Sequence, residues 1–262
     1  MLVSASERSR ISIADFDELN ARSWIANAAL WSEAGTATPL RDAMFAEIDG
    51  VVAHELTRGE VSLVDLGCAD GQYLAWLRRS GFSGKLFGID RCSALISRAR
   101  LVCPDALVTV ADLNVMQSLP VSNVSIATCL LTLIEIAEPK RTLRNASAML
   151  RAGGLLVVTV LDPTVEALRF IELKRGRPDT VVYNVEGEIA IGSSFEVQEQ
   201  ISKAPYFRFL RPLDYYINAL EATGFALERI SAIQDVDFPF QFQPRALMIC
   251  ARRQDGGTSL GR

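Results

Sequence analysis

The stretch VSLVDLGCADGQYLAWLRR, residues 61–79, decides the fold of the chain. Its apolar run at 61–66 predicts a strand that is buried on both faces. Leu74, Trp76 and Leu77 then follow the spacing of a helix that packs on such a strand. The turn between them, residues 67–71, carries almost no bulky side chain, so its main-chain N–H groups can approach a ligand closely. We therefore predict a ligand-binding loop between this strand and this helix.

The charge and spacing of this turn indicate which ligand it binds. The dinucleotide fingerprint G-x-G-x-x-G needs glycine at positions 69 and 72, where the chain has Ala69 and Gln72. Asp70 also lies where it would repel a pyrophosphate. Together with Asp65 at the end of the strand, it favours a ligand that carries cationic groups. S-adenosylmethionine, which has an ammonium and a sulfonium, meets this requirement.

The same residues resemble a known sequence motif. Asp65-Leu66-Gly67-Cys68-Ala69-Asp70-Gly71 is similar to motif I of the class I S-adenosylmethionine-dependent methyltransferases, D-L-G-C-G-x-G, with Ala69 in place of the middle glycine. The resemblance covers about residues 55–252. It implies an α/β fold with a doubly wound, Rossmann-like, seven-stranded sheet that is mostly parallel and has an antiparallel last strand. Taken alone, the motif could also be an ordinary strand-to-helix turn that binds no cofactor.

Two more predicted strands end in an acid, as the first one does. Asp90 closes the strand at 85–90 and lies about 20 residues after the glycine turn, the spacing at which a carboxylate meets ribose hydroxyls in such a unit. Its oxygens can accept two hydrogen bonds from a vicinal diol. The resemblance implies that Asp112, after the strand at 106–110, reads the adenine amino group while Leu113 packs on the ring. The expected cofactor-binding residues are Asp65, Gly67, Cys68, Ala69, Gly71, Asp90, Arg91, Asp112, Leu113, Cys129 and Leu130.

The catalytic residues are predicted from the resemblance and from the chemistry of methyl transfer. The protein has to align the acceptor with the methyl group and exclude water, and it needs a base only when the acceptor is weakly ionised. Many relatives carry a histidine late in the fourth-strand motif and in a Y-H-R-P-L segment, which FLRPLDYYINALEATGF at 209–225 resembles. Glu135 and Leu210 stand at those positions, so we predict Glu135 as the base or as an ammonium-orienting carboxylate. Tyr206 is the second catalytic candidate; a solvated Glu135, and an enzyme that relies on alignment alone, are the alternatives.

A later glycine pair predicts the end of a helix. The phrase MLRAGGLLVVTVLDP resembles the turn and strand R-V-L-x-P-G-G-x-L of the same family. We predict a helix from Pro139 to Leu150, which Ala152-Gly153-Gly154 closes because glycine suits the left-handed residue at a helix end. A fifth strand is predicted from Leu155 to Leu161.

The chain is predicted to form one domain with accessory segments. Residues 1–54 read as helices, which the resemblance implies form a lid, and residues 55–252 form the methyltransferase domain. Within it, residues 163–212 are expected to build a substrate-side insertion that contains a β-hairpin. Residues 253–262 are predicted to be a disordered tail. Substrate contacts are expected from Trp24, Trp31, Tyr206, Arg208 and Tyr215, with simple helix packing as the alternative for the two tryptophans.

Composition and charge exclude several partners. The 262-residue chain has a net charge of −4, whereas nucleic-acid binding needs a basic face that neutralises phosphates. Its five cysteines include no C-x-x-C pair, so we predict no disulfide framework, no metal site and a reducing, cytoplasmic location. The N-terminus lacks the apolar core of a signal peptide, and no apolar run reaches the ~18 residues of a membrane span. The predicted partner is a small molecule, with no nucleic acid and no membrane; a homodimer is left open.

These features together predict an enzyme that transfers a methyl group from S-adenosylmethionine to oxygen, nitrogen or carbon of a small metabolite of the natural-product type. The scaffold hosts other activities, so two alternatives stay open. One is an S-adenosylmethionine-binding enzyme of another class, such as a cyclase that uses the sulfonium charge. The other is a non-catalytic subunit that binds S-adenosylmethionine.

Overall fold

The computed structural model describes residues 9–34, 39–57, 59, 61–116, 118–166, 181–193, 196–197, 200–234 and 246–255. Its helices are α1 (Ile13–Ala34), α2 (Pro39–Leu56), α3 (Gln72–Arg79), α4 (Ser93–Val102), α5 (Pro139–Met149) and α6 (Leu213–Glu221). Its strands are β1 (Ser9–Ile11), β2 (Ser62–Leu66), β3 (Lys85–Asp90), β4 (Leu107–Val110), β5 (Val124–Leu130), β6 (Leu150–Leu161), β7 (Val181–Val185), β8 (Glu188–Ser193), β9 (Glu196–Val197), β10 (Gln200–Ile201), β11 (Tyr206–Leu210), β12 (Phe225–Ile233) and β13 (Ala246–Arg253). No helix in these ranges is long and apolar enough to pass through a lipid bilayer.

Seven strands form one sheet in the order β12-β13-β6-β5-β2-β3-β4. Neighbouring strands are parallel from β6 to β4, whereas β13 runs antiparallel to both β12 and β6. Helices α3, α4 and α5 connect β2 to β3, β3 to β4 and β5 to β6, as is usual for crossover connections between parallel strands. The structure thus confirms the predicted doubly wound α/β fold with an antiparallel last strand.

Helices cover both faces of this sheet. On one face, α2, α3 and α4 pack against a core that includes Leu63 and Leu86. On the other face, α5 and α6 pack against a core that includes Val64 and Leu66. Neighbouring residues of β2 enter different cores because successive side chains of a strand point to opposite faces. Leu63, Val64 and Leu66 are all 0% exposed, which confirms the strand predicted to be buried on both faces.

The strand order reverses between β2 and β5. Strands β3 and β4 lie on one side of β2, while β5 and β6 lie on the other. At such a reversal, a doubly wound sheet opens a crevice outside the carboxyl ends of its strands. The topology therefore brings Asp65, Asp90 and Asp112 to one end of the sheet, where the loop after β5 also emerges.

A second sheet has the order β1-β7-β8-β11, so it joins the N-terminal strand to three strands of the predicted insertion. Its β7–β8 hairpin turns at Glu186 and Gly187, whose φ angles of 48° and 102° suit a tight two-residue turn. Phe207 and Phe209 of β11 pack on Phe16 of α1, with ring centroids 5.7 and 4.8 Å apart. Helix α1 is thereby attached to the insertion.

Helix α5 ends one residue before the predicted Leu150, and its C-cap residue is Leu150 rather than a glycine. It ends at Met149, and β6 already begins at Leu150, which pairs with Val124. The β5–β6 pairing is irregular between Val124 and Ile126, and Gly153, with a φ of 66°, lies in this early part of β6. The prediction of a helix end at the glycine pair is therefore wrong, because Gly153 accommodates an irregular start of a strand instead.

Some predicted segments reach beyond the described residues. The predicted lid includes 1–8 and 35–38, and the predicted tail includes 256–262, all outside the described residues. Arg253, the first residue of the predicted tail, belongs to β13. Within the predicted insertion, residues 163–166 are helical, and residues 167–180 lie outside the described residues.

Candidate active site

The turn between β2 and α3 has left-handed residues at its two glycines. Gly67 and Gly71 both have a φ of 79°, a left-handed conformation that glycine adopts at little cost. The N–H groups of Gly67 and Cys68 donate to the carbonyl of Ile89 (2.8 and 3.0 Å), which fixes the turn against β3. Ala69, the departure from motif I, has a φ of 46°, so it carries about 1–2 kcal/mol of strain that glycine would avoid.

Gly67 lies very close to the loop after β5. A Cβ atom at this position would lie 2.3 Å from Oγ1 of Thr132. That hydroxyl donates to the carbonyls of Leu66 (3.0 Å) and Leu130 (3.3 Å), so it is held in place by both strands. Position 67 therefore requires glycine for two reasons: its positive φ and the close approach of Thr132.

Gly67→Ala is expected to lower the free energy of unfolding by about 1–3 kcal/mol more than Gly153→Ala, because the added methyl group has to displace Thr132. Gly153 is the matched control, since its φ of 66° is also left-handed but no atom of the described part of the chain lies within 4 Å of an added Cβ. Urea denaturation of both variants measures the difference. Equal losses would show that the loop after β5 does not constrain position 67.

Asp90 connects the turn to the loop after β3. Its Oδ2 accepts from the N–H of Ala69 (3.0 Å) and its Oδ1 from the N–H of Cys92 (2.8 Å). Burial raises the pKa of Asp90, although these hydrogen bonds act in the opposite direction. Each carboxylate oxygen has a second lone pair, so both can also accept from the hydroxyls of a ligand.

Asp65 belongs to β2, just before the turn, and is paired with Thr128 of β5. It is 3% exposed and accepts a hydrogen bond from Oγ1 of Thr128 (2.7 Å). Burial raises the pKa of Asp65 to about 7, although the hydrogen bond from Thr128 lowers it. A cationic group above the turn would favour the ionised carboxylate, so Asp65 suits a positively charged ligand.

Three other expected cofactor residues come from the same strand ends. Cys68 and Cys129 are buried, at 4% and 1% exposed, in the cores on the two faces of the sheet. Leu130, which ends β5, is partly buried against the core that contains Cys68. Because the two thiols point into the protein, these cysteines can meet a ligand through their backbone only.

A cavity of about 60 Å³ lies where the loops after β2, β3, β4 and β5 meet. Helix α1 closes one side of it through Asn20, whose Nδ2 donates to the carbonyl of Glu135 (3.1 Å). Pockets for ligands of this kind usually measure about 300–1,000 Å³, so with α1 in this position the cavity admits only part of such a ligand. Its lining residues are Asn20, Gly67, Asp90, Arg91, Ala111, Asp112, Leu113, Asn114, Thr132, Glu135 and Ile136.

One arginine connects this cavity to α1. Arg91 forms an ion pair with Asp112 (3.7 Å), and its Nη2 donates to the main-chain carbonyl of Asp17 in α1 (2.5 Å). Oδ1 of Asp17 is buried and has no hydrogen-bond partner among the residues that the structure describes, and burial raises the pKa of this carboxyl. An unsatisfied buried acceptor costs about 1–3 kcal/mol, so the packing of α1 is unfavourable at this point.

Glu135 is the residue at which three segments meet. One carboxylate oxygen accepts from Nε1 of Trp24 in α1 (2.7 Å), and the other accepts from the hydroxyl of Tyr206 in β11. Glu135 is 7% exposed, so it is not a solvated junction residue. Burial raises the pKa of Glu135 to about 8, although both hydrogen bonds act in the opposite direction. A carboxyl group with such a pKa changes its protonation near neutral pH, which is the property that a general base needs.

Three of the predicted substrate-side residues form an aromatic cluster beside Glu135. The rings of Trp31 and Tyr206 each lie edge-on to Trp24, with centroids 5.1 and 5.2 Å away. Trp31 and Tyr206 are nearly parallel, 6.0 Å apart. The cluster also fixes the direction of the Trp24 and Tyr206 donors toward Glu135.

Arg208, the fourth predicted substrate-side residue, lines a larger cavity of about 300 Å³. Its Nε donates to a carboxylate oxygen of Glu166, and both residues are buried. Glu166 lies in the helical residues 163–166, where Asp162 accepts from the N–H of Thr164 (2.8 Å) and so caps the first turn. Sequence reasoning missed Glu166, because its partner is distant in the chain.

Arg211 holds the loop that carries Glu135. Its side chain is 1% exposed, and its Nη groups donate to the carbonyls of Leu133 (3.2 Å), Ile136 (2.7 Å) and Ala137 (2.9 Å). These carbonyls lie on both sides of Glu135 in the chain. The sequence contained a signal for Arg211, since it belongs to the R-P-L segment, but that signal did not show which groups it binds.

Tyr215 is placed apart from the other predicted substrate-side residues. Its ring covers the Arg211 guanidinium, with the Cζ atom 4.7 Å from the ring centroid. Tyr215 is not among the described residues that line either cavity. Its arrangement is that of a packing partner of Arg211.

Solved structures of methyltransferases resemble this fold. The magnesium protoporphyrin IX methyltransferase from Synechocystis PCC 6803, with bound SAH, has a TM-score of 0.61 at 14% identity over 92% of this chain and 100% of that chain. An S-adenosylmethionine-dependent methyltransferase from Clostridium acetobutylicum has a TM-score of 0.60 at 11% identity over 87% and 98% of the two chains. One from Mesorhizobium loti has a TM-score of 0.52 at 22% identity over 74% and 92%. At these identities, the likeness shows a shared fold.

The family follows from the sequence itself. No curated protein matches the chain. A family model described as a methyltransferase domain, however, matches residues 21–229. Because this match spans most of the chain, the protein belongs to the S-adenosylmethionine-dependent methyltransferases, as its motif I predicts.

Proposed function

We propose that the protein methylates a small metabolite, with the cofactor in the cavity at the carboxyl ends of β2–β5. One observation carries this proposal: the same cavity is lined by the strand-end acids Asp90 and Asp112 and by Glu135, a buried carboxyl group with a raised pKa. A cofactor site and a candidate base therefore adjoin each other. When bound, S-adenosylmethionine supplies an activated methyl group.

The residues around the cavity fit this cofactor. Asp90 is fixed by two N–H groups and keeps lone pairs for the two ribose hydroxyls. Asp112 and Leu113 line the cavity together, as recognition of an amino group and an apolar ring requires. Gly67 presents a bare backbone, and Asp65, just before the turn, favours a cationic group. We assign the ribose to Asp90, the adenine to Asp112 and Leu113, and the charged amino acid end to the turn at 67–71.

We also propose that α1 is a lid. The cavity is smaller than the cofactor requires, and α1 is the element that closes it, through Asn20 and Asp17. Opening of α1 would admit the cofactor, and reclosure would exclude water from the site.

Glu135 is the proposed base. Its carboxylate would take the proton that a weakly ionised acceptor loses, and Tyr206 and Trp24 hold both of its oxygens in place. The substrate is proposed to be a small molecule, because the net charge of −4 disfavours nucleic acid and the adjoining cavity measures about 300 Å³.

Asp90→Asn is expected to weaken S-adenosylhomocysteine binding by about 10-fold or more, because an amide presents a donor where the native carboxylate accepts from Ala69 or Cys92. Isothermal titration of the wild-type protein and the variant measures this change. Asp105→Asn is the control, since Asp105 follows α4 and is bound to Arg78 away from the cavity. Equal affinity in Asp90→Asn and the wild type would contradict the assigned ribose site.

Product analysis separates the proposed reaction from the alternatives. Incubation with S-adenosylmethionine and candidate metabolites is expected to consume the cofactor and to add one methyl group to the product. Isomerisation without cofactor consumption would instead favour a cyclase. Binding of cofactor without turnover of any substrate would favour a non-catalytic subunit.

A further inference from the structure

The 300 Å³ cavity lies next to the proposed cofactor site. Ile134 lines the larger cavity, and its neighbour Glu135 lines the smaller one, so this short segment separates them. Most of the larger cavity is apolar, with Leu161, Phe209 and Tyr216 in its wall. Its size and position fit the body of a methyl acceptor.

Arg208 is a buried charge in this apolar wall. It is 9% exposed, and its Nε donates to Glu166, which is 5% exposed. Among the residues that the structure describes, no group accepts from Nη1 or Nη2 of Arg208, and neither nitrogen is fully enclosed. Because Arg208 lines the cavity, a ligand there can reach Nη donors that are not engaged by the described residues.

Such a guanidinium has two edges that can bind carboxylates. Its Nε side is engaged by Glu166, while the Nη1–Nη2 end has the fork geometry that matches the two oxygens of a second carboxylate. We propose that Arg208 binds a carboxylate group of the methyl acceptor, whose apolar body fills the cavity. This inference rests on the proposed function and adds the chemical class of the substrate.

The strand that carries Arg208 also sets the length of the acceptor. Tyr206 and Arg208 are two residues apart on β11, so they share one face and are separated by about 7 Å along the strand. Tyr206 donates to Glu135, and Arg208 donates to Glu166. The acceptor atom near Glu135 and the carboxylate at Arg208 should therefore be separated by about the distance between two para substituents on a six-membered ring.

The probes are 4-hydroxybenzoate and 4-hydroxybenzamide, which match in size and differ in charge. Each is titrated calorimetrically into the full chain in the presence of S-adenosylhomocysteine. The acid is expected to bind at least about 10-fold more tightly than the amide, because hydrogen bonds to charged groups are the strong ones. Arg208→Gln is expected to remove this preference and to leave the affinity for the amide unchanged. Equal affinity for the two probes, or binding of neither probe by the wild type, overturns the proposal.

A second variant separates ligand binding from a structural role of the ion pair. In Glu166→Gln the side-chain carbonyl can still accept from Arg208, and the competing negative charge is gone. We expect the affinity for 4-hydroxybenzoate to stay or to rise in Glu166→Gln and to be lost in the double variant Arg208→Gln/Glu166→Gln. Equal losses in the two single variants would overturn the proposal, because they would show that the pair acts only through the fold.

A separate titration keeps the two hypotheses distinguishable. S-adenosylhomocysteine alone is titrated into the wild type and all three variants. Normal cofactor binding with no acid preference in the wild type would contradict the carboxylate site only. Absence of cofactor binding in the wild type would contradict the proposed function, whatever the result with the two probes.

Discussion

Glu135→Gln is expected to lower kcat by about two to four orders of magnitude and to change S-adenosylhomocysteine affinity much less. The amide cannot take a proton from the acceptor, which is the role we assign to the carboxylate. The network around it can survive the change, because the glutamine carbonyl can accept from Trp24 and its amide can donate to the Tyr206 oxygen. Steady-state kinetics and calorimetry on the same preparations separate the two effects.

The pH dependence of kcat gives a second measure of the same group. Since the pKa of Glu135 is about 8, kcat of the wild type should rise with pH and level off above about pH 8. Glu135→Gln should lose this rise. Glu138→Gln is the matched control, because Glu138 is an exposed residue of the same loop and should keep both the rate and the profile. An unchanged rate and pH profile in Glu135→Gln would remove Glu135 from the mechanism and favour catalysis by alignment alone.

The raised pKa also predicts the direction of a stability change. Burial favours the protonated form of Glu135, so its contribution to folding is fully present below its ordinary pKa of 4.5 and is lost as the pH rises through about 8. The wild type should therefore lose more free energy of unfolding between these pH values than Glu135→Gln. Urea denaturation across that range measures the difference between the two proteins.

Arg211→Met is expected to lower the free energy of unfolding by about 3–5 kcal/mol. The guanidinium is 1% exposed, and its removal leaves the carbonyls of Ile136 and Ala137 without this donor and Glu188 without its cationic partner. Arg211→Lys should recover only part of the loss, because an ammonium lacks the planar fork that reaches several carbonyls at once. Denaturant titration of both variants measures these losses.

A surface arginine supplies the control for this prediction. Arg22 is 74% exposed at its side chain and pairs with Glu18 one helical turn away. Arg22→Met should therefore change the stability by less than about 1 kcal/mol. If Arg211→Met were as stable as Arg22→Met, the loop of Glu135 would not depend on Arg211. If the destabilised variant kept the wild-type pH profile of kcat, Arg211 would be needed for folding alone and not for the position of Glu135.

Much of the fold was predictable from local sequence. Residues 61–79 contain a strand, a turn and a helix in immediate succession, and the burial of β2 follows from its apolar composition. Asp90 was predictable because its distance from the glycine turn reflects the length of one βαβ unit. The left-handed backbone of Ala69 was not predictable from local sequence. Alanine does not favour a positive φ, so this conformation is maintained by the surrounding contacts.

The environment of Glu135 was beyond local sequence reasoning. Its pKa depends on burial by α1 and β11, and its partners Trp24 and Tyr206 are separated from it by 111 and 71 positions. The sequence placed Glu135 in the loop after the fourth predicted strand but could not show whether that loop is solvated. The ion pair of Arg208 with Glu166 was hidden for the same reason. The glycines at 153 and 154 favoured a helix end. In the structure the strand begins before them instead, because Leu150 pairs with Val124 in the sheet.

A crystal structure with S-adenosylhomocysteine tests the central assignment most directly. We predict that the ribose hydroxyls bind the carboxylate of Asp90, that the adenine lies against Asp112 and Leu113, and that the sulfur faces the side of the cavity with Glu135. Helix α1 should lie farther from the turn at 67–71 than it does here, or be repacked around the ligand. A nucleoside bound away from Asp90, with the cavity at the ends of β2–β5 left empty, would contradict the account.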